Sequence, residues 1–205
     1  MRNLRSVLSS LAVLVTLALG SAACTTPPRP VVANQAHPAH VVAITGTDAA
    51  SVRAQLAEHR KQQIERLEAY SQEGIFPRNT TSPGPIHMFK DPDGRRCAVA
   101  NLVHLDGHDD VVDDYATRQN DVVVADVTSG PLADWILTSG LTREEIAAIQ
   151  APAPYVMQDA PEDQLRSQMQ GYFGSVEQQL IDGTDKSLDV AVARYEASAG
   201  NVAAR

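Results

Sequence analysis

Four patterns of apolar and polar positions succeed one another along this chain, and each predicts a different kind of element. The first is a predominantly apolar run of 14 residues, Val7 to Gly20, behind Arg2 and Arg5 and ahead of the small residues Ser21-Ala22-Ala23. A membrane-spanning helix needs about 20 apolar residues, so this run is too short to cross. The positive flank, apolar middle and small-residue end predict a secretory signal over residues 1–23. The second pattern has no period. Residues 24–46 are rich in Pro, Ala and small polar residues, which predicts an extended, solvated tether.

The third pattern repeats at about 3.6 residues. Thr47-Asp48 supplies a helix start, and Val52, Leu56, Ile64, Leu67 and Tyr70 mark one face of a helix from Ala49 to about Ser71. His59 and Gln63 fill the middle of that thin stripe. Glu58, Arg60, Lys61, Glu65, Arg66 and Glu68 are expected on the wet side. Gly74 and Pro77 end the helix.

In the fourth pattern, short dense apolar runs alternate with turn residues. Ile86–Phe89 and Arg96–His104 flank Asp91-Pro92-Asp93-Gly94, a type I turn signal, and predict a hairpin. Asp109–Gln119 predicts a helix closed by a left-handed Asn120. The β-branched run Asp121–Val127 predicts a third strand. Ser129 is expected to cap a short helix with Pro131 in its first turn and Leu132, Trp135 and Ile136 on its inner face. Thr142-Arg143-Glu144-Glu145 is a capping box opening a helix to Gln150. Beyond Pro152 and Pro154, Pro161-Glu162 starts a helix loosened at Gly171 and Gly174, and a last helix begins near Thr184.

The fold class that follows is α+β: a helix-rich small domain with about three short strands between residues 86 and 127. The long N-terminal helix belongs to that domain (residues 47–150). Residues 151–205 form a helical segment packed on it or extending it.

Charge narrows the partners. The chain carries 17 basic and 25 acidic residues for a net charge of −8. Loss of Arg2 and Arg5 with the signal leaves 15 basic residues and a net charge of about −10. Nucleic-acid binding depends on neutralising phosphates, so this balance argues against it, as it does against electrostatic attachment to anionic lipid.

The chain has two cysteines. Cys24 directly follows the small residues and resembles the lipobox of bacterial lipoproteins, in which the cysteine is acylated and becomes the first mature residue. Ser21 departs from that pattern, where Leu usually stands three places before the cysteine. The resemblance implies a lipid anchor at Cys24. Acylation would leave Cys97 without a partner, whereas cleavage without acylation would permit a Cys24–Cys97 bridge in an oxidising compartment.

The candidate chemistry is thin. His104-Leu105-Asp106-Gly107-His108-Asp109-Asp110 sets two His and three carboxylates within seven residues, a donor set suited to Zn²⁺ or a similar ion. The spacing differs from the helical H-E-x-x-H motif, and Asp106-Gly107 reads as a turn. His108-Asp109 is similar to the paired ligand of HD-type phosphohydrolases, without a second His placed to complete it. The favoured reading is a polar loop whose acids serve as caps. The alternative is a metal-dependent hydrolase using His104, Asp106, His108 and Asp109.

Cys97 with His87 or His104 would make a thiol and base, but a buried, inert cysteine is expected. Asp91 and Asp93 open like a calcium loop and lack its later ligands. His37 and His40 are read as tether residues, Trp135 as core. Asn79-Thr80-Thr81 fits a glycosylation sequon, which a bacterial signal makes irrelevant. No cofactor is expected.

The pattern Phe89-x-Asp91-x-x-Gly94-x-x-Cys97-Ala98-Val99-Ala100, then Gly130-Pro131-Leu132 with Trp135, then Thr138-Ser139-Gly140-Leu141-Thr142-x-Glu144-Glu145, resembles a family of uncharacterised exported bacterial proteins. It covers about 65 residues, implies that the central stretch is one unit, and brings no activity or site. The expectation is therefore an exported cell-envelope lipoprotein, non-enzymatic, with a lipid anchor and an envelope protein as partners.

Overall fold

Asp48 starts the longest helix by the means its sequence offers: its side chain accepts from the Ser51 N–H at 2.9 Å. This helix, α1 (Ala49–Glu73), ends where Gly74 takes a left-handed conformation at φ 67° and its N–H donates to the Tyr70 carbonyl. These coordinates are a computed structural model, which describes residues 44–45, 48–151 and 161–203. The signal, Cys24, His37, His40, Pro152 and Pro154 lie outside those residues.

Helix follows helix: α2 (Ala98–Leu105), α3 (Asp109–Arg118), α4 (Pro131–Thr138), α5 (Arg143–Ile149), α6 (Glu162–Asp182) and α7 (Thr184–Ala203). Among the described residues there is no strand, so the α+β expectation with three strands is wrong. The turn at Asp91–Gly94 does form, with the Gly94 N–H on the Asp91 carbonyl at 2.9 Å and Gly94 at φ 82°. Its arms, however, meet only in a single antiparallel bridge between Lys90 and Arg96.

The returning arm becomes α2 because the chain turns at Cys97, whose Sγ accepts from the Ala100 N–H at 3.4 Å. Residues 98–103 are all buried. A short apolar run of this kind suits a buried strand and a buried helix equally. Ala and Leu favour the helix, which also satisfies its own backbone and so needs no strand on either side.

The third expected strand is also absent. Val124–Asp126 is a turn of 3-10 helix. The residues before it find their partner in a side chain: Gln150 accepts from the Val124 N–H at 2.8 Å and donates to the Val122 carbonyl at 2.6 Å. One buried amide thus does locally what a neighbouring strand would have done.

Three smaller expectations also change. Asn120 clamps the Lys90 backbone through both ends of its amide instead of closing α3, which Gln119 caps. Gly130, not Ser129, precedes α4. Gly171 and Gly174 lie within an unbroken α6.

Helices α6 and α7 both pack along α1. Met169, Phe173, Val176 and Leu180 of α6 join the core formed by α1 to α5, where Tyr70, Phe76 and Phe173 sit in mutual ring contact. A second cluster, Val52 and Leu56 with Leu188 and Ala191, seats α7 on the first half of α1.

Candidate functional site

The His104–Asp110 cluster falls where α2 turns into α3, and its members are separated by the bonds they make. Asp106 caps the C-terminus of α2, and its carboxylate faces inward. Oδ2 accepts from Gln63 Nε2 at 2.8 Å and from Trp135 Nε1 at 2.6 Å, while Oδ1 pairs with Arg66. His104 Nδ1 bonds Asp109 instead, and the Arg96 guanidinium lies 3.8 Å from the same oxygen.

His108 precedes α3 without capping it and lines a cavity of about 20 Å³ with His59, Gln63, Asp106, Trp135 and Thr138. That is the volume one water needs, and Gln63 Oε1, buried without a protein partner, supplies an acceptor there. Among the described residues no group of three or more His, Cys, Asp or Glu is placed to hold a metal ion. Trp135 is buried, as its helical spacing predicts, and Asp106 takes up its one polar atom.

Cys97 is buried at the head of α2, and burial pushes its thiol up to about 11. Both nucleophilicity and metal ligation belong to the thiolate, so at neutral pH this cysteine is a core residue. Asp91 is likewise committed. Its carboxylate accepts the N–H groups of Arg78, Asp93 and Arg95, which fixes the turn. The sequon residue Asn79 has 0% exposure, its amide closing its own loop on the Ser82 and Gly84 carbonyls.

The least expected site is at Arg60. Assigned to the wet side of α1, it is only 1% exposed and forms a two-pronged pair with Glu145, at 2.8 and 2.6 Å. The same guanidinium donates to the Gly140 and Leu180 carbonyls at 3.2 and 2.6 Å. Glu145 answers with three more bonds. It accepts from Ser187 Oγ at 2.7 Å and, through the capping box, bonds the backbone and hydroxyl side of Thr142.

Burial alone would raise the Glu145 carboxyl. Hydrogen bonds from Arg60, the Thr142 N–H and Ser187, together with the Arg60 charge, outweigh it and hold the group below its ordinary value. Gly140 is required beside this pair: its φ is 75°, and a Cβ there would overlap the Leu56 carbonyl oxygen on α1. Sequence reasoning found Glu145 as a cap and missed its second role. The available signal was spacing: Arg60 stands four residues after Leu56 and four before Ile64, on the apolar stripe itself.

Over this pair lies a half-open groove of about 430 Å³ between α5, α6 and α7. Val176, Leu180, Ala148 and Val190 give it apolar walls; Thr142, Glu144 and Lys186 stand at its polar edge. Among the described residues no helix is long and apolar enough to cross a membrane. No protein-family model, curated protein or solved structure matches this chain.

Proposed function

We propose that this chain is an exported lipoprotein of the bacterial cell envelope that acts by contact with another envelope protein, without catalysing a reaction. The observation that carries the reading is the junction Ser21-Ala22-Ala23-Cys24 directly after a short apolar run with a positive flank. A tether rich in proline then separates the anchor from the helical body, as a protein that must reach a partner from a membrane surface requires.

The chemistry of the body favours binding over catalysis. A general base or nucleophile has to be free to reach substrate. Here Asp106 is consumed by Trp135, Gln63 and Arg66, Glu145 by Arg60 and Ser187, His104 by Asp109, and Cys97 by burial. The hydrolase alternative at His104, Asp106, His108 and Asp109 needs these side chains to converge, and Asp106 faces α1 and α4 while His104 faces Asp109.

The test is mass spectrometry of the mature N-terminus from a bacterial host, paired with membrane fractionation. The expected species begins at Cys24 with a diacylglycerol thioether and sediments with membranes. Cys24→Ser should leave the precursor unprocessed. An unmodified Cys24 in the mature protein would overturn the anchor, and stoichiometric metal in the purified chain would overturn the ranking of binding over hydrolysis.

A further inference from the structure

The outward side of α6 differs from those of α1 and α7. On α1 the exposed positions include Glu58, Lys61, Glu65, Glu68 and Glu73, and on α7 they include Asp185, Lys186, Asp189 and Glu196. From Gln164 to Ile181 of α6, no exposed residue is charged. The two charged side chains of that span, Arg166 and Glu177, are partly buried and turn toward α1, Arg166 beside Gly74 and Glu177 near Glu68.

Exposed positions there follow one another at alternating steps of three and four residues: Gln164, Ser167, Gly171, Gly174, Gln178 and Ile181. That alternation keeps one seam of a helix facing a single partner helix, here over about 26 Å. Gly171 and Gly174 lie in the middle of the seam. Neither has the positive φ that would call for glycine, and a Cβ at either would meet no atom within 4 Å. Glycine is the least favoured residue of a helix interior after proline, so within the chain both positions weaken α6 with no gain in packing. Their consequence lies outside the chain: without Cβ atoms, the middle of α6 is open to close approach by another backbone.

We propose that this seam is the interface with a second copy of the chain, the two α6 helices lying antiparallel about a two-fold axis midway between Gly171 and Gly174. Spacing and charge both select a copy. Because the glycines flank the midpoint, Gly171 meets Gly174 of the second copy, Ser167 meets its Gln178 and Gln164 meets its Ile181, each contact occurring twice as a two-fold interface requires. Gln178 donates its Nε2 to Asp182 at 2.8 Å, which leaves Oε1 to accept from the Ser167 hydroxyl of the other copy. A protein of net charge −8 repels its own copies wherever like charges meet, and of the three long helices α6 alone presents an exposed stretch without them. Asp163 and Asp182 bound the seam, and the axis brings them near each other only at its wet ends, so salt should tighten the dimer. Nothing in this depends on the anchor at Cys24.

Sedimentation equilibrium of the full mature chain carrying Cys24→Ser tests the proposal, so that no acyl group drives association. A reversible monomer–dimer equilibrium is expected, tighter at high salt. Gly171→Glu with Gly174→Glu should weaken it at least tenfold, because four carboxylates then meet at the axis. Val190→Glu, a new acid on α7 away from the seam, should leave it unaltered. Both glutamates of the first variant stand in open space on a helix they favour, and circular dichroism matching the parent would show that it folds. Ser167→Cys with Gln178→Cys should, on oxidation, give dimers bridged from position 167 to position 178. Within one chain those positions are about 16 Å apart along α6, too far to bridge. A chain monomeric up to about 1 mM, a dimer unaffected by the paired glutamates or lost in Val190→Glu, or bridges joining 167 to 167 would each overturn this seam.

Discussion

Two arginines on α1, six residues apart, make the same kind of ion pair in different surroundings. Arg60 pairs with Glu145 inside the molecule, where the two side chains are 1% and 14% exposed. Arg66 pairs with Asp106 nearer the rim, at 21% and 16%. Around Arg60 the bonds run to α5, to the end of α6, to Gly140 and, through Glu145, to Ser187 of α7. Around Arg66 they reach α2 and, through Asp106, Trp135 of α4. The difference shows what burial does to a polar contact. In a dry site the pair is fully committed and its removal leaves a charge with nowhere to go; at the rim, water replaces a lost partner.

The largest effect is therefore expected at Arg60→Met. It strands the Glu145 carboxylate, and breaking a buried pair from one side costs about 3–5 kcal/mol. Adding Glu145→Gln, which removes the orphan charge and keeps an acceptor for the cap, should restore part of that loss. Urea denaturation of the two variants measures both; a loss below about 1 kcal/mol would show that Arg60 is ornamental.

Proton linkage sharpens this prediction. In the parent the folded Glu145 carboxyl sits below its ordinary value of 4.5, so its stabilisation is full above that pH and is lost as pH falls through the folded value. In Arg60→Met the favourable partner is gone and burial remains, so the carboxyl rises and the folded state favours the neutral acid. The stability gap between parent and variant should thus be widest near pH 7 and narrow toward pH 4. A gap that stays constant with pH would mean that lost packing, not the stranded charge, accounts for the effect.

Next comes Asp106→Ala. Trp135 Nε1 and Gln63 Nε2 lose their acceptor while still largely buried, at about 2 kcal/mol for donors left unsatisfied. Arg66→Met, which takes away only the rim partner and leaves those two bonds in place, should cost about 1 kcal/mol. If Arg66→Met matched Arg60→Met, the contrast between dry and wet pairs would collapse.

The smallest effect is expected at His104→Ala with His108→Ala. Changes at such partly exposed positions, one in the last turn of α2 and one just before α3, stay within about 0.5 kcal/mol. An ion held only by the folded chain would add about 2.7 kcal/mol at a hundredfold excess over Kd. Zinc should leave the melting temperature of parent and double variant unmoved, and a zinc-dependent rise confined to the parent would reinstate the metal site.

How far the sequence spoke differs by residue. Local signals translated directly: Asp48 capping α1, Gly74 ending it, the Asp91–Gly94 turn, and the Thr142–Glu145 capping box all formed. The bond that defines each joins residues at most four apart, so composition and spacing suffice to specify it. The strands were misread where the deciding partner lay far along the chain. Asp121–Val127 has the β-branched content of a strand, but β-propensity expresses a fit to neighbouring strands, and among the described residues none is there to pair with. A Gln150 side chain from more than 20 residues away serves instead.

The candidate sites divide along the same line. That Cys97 and Trp135 lie inside could be read from the apolar runs around them. That the His104–Asp110 cluster is pulled in two directions could not, because Arg66 and Trp135 draw Asp106 inward from elements about 30 to 40 residues off. By itself, then, the sequence determined where α1 and α5 begin, where the turn falls and much of which faces are apolar, since those follow from short-range bonding and periodicity. The tertiary structure alone decided that Arg60 is buried, that Ala98–Leu105 is helix, and that Arg143 reaches back to the Ala125 and Val127 carbonyls. Each of those outcomes depends on which partner satisfies a backbone or a charge once distant helices close on one another.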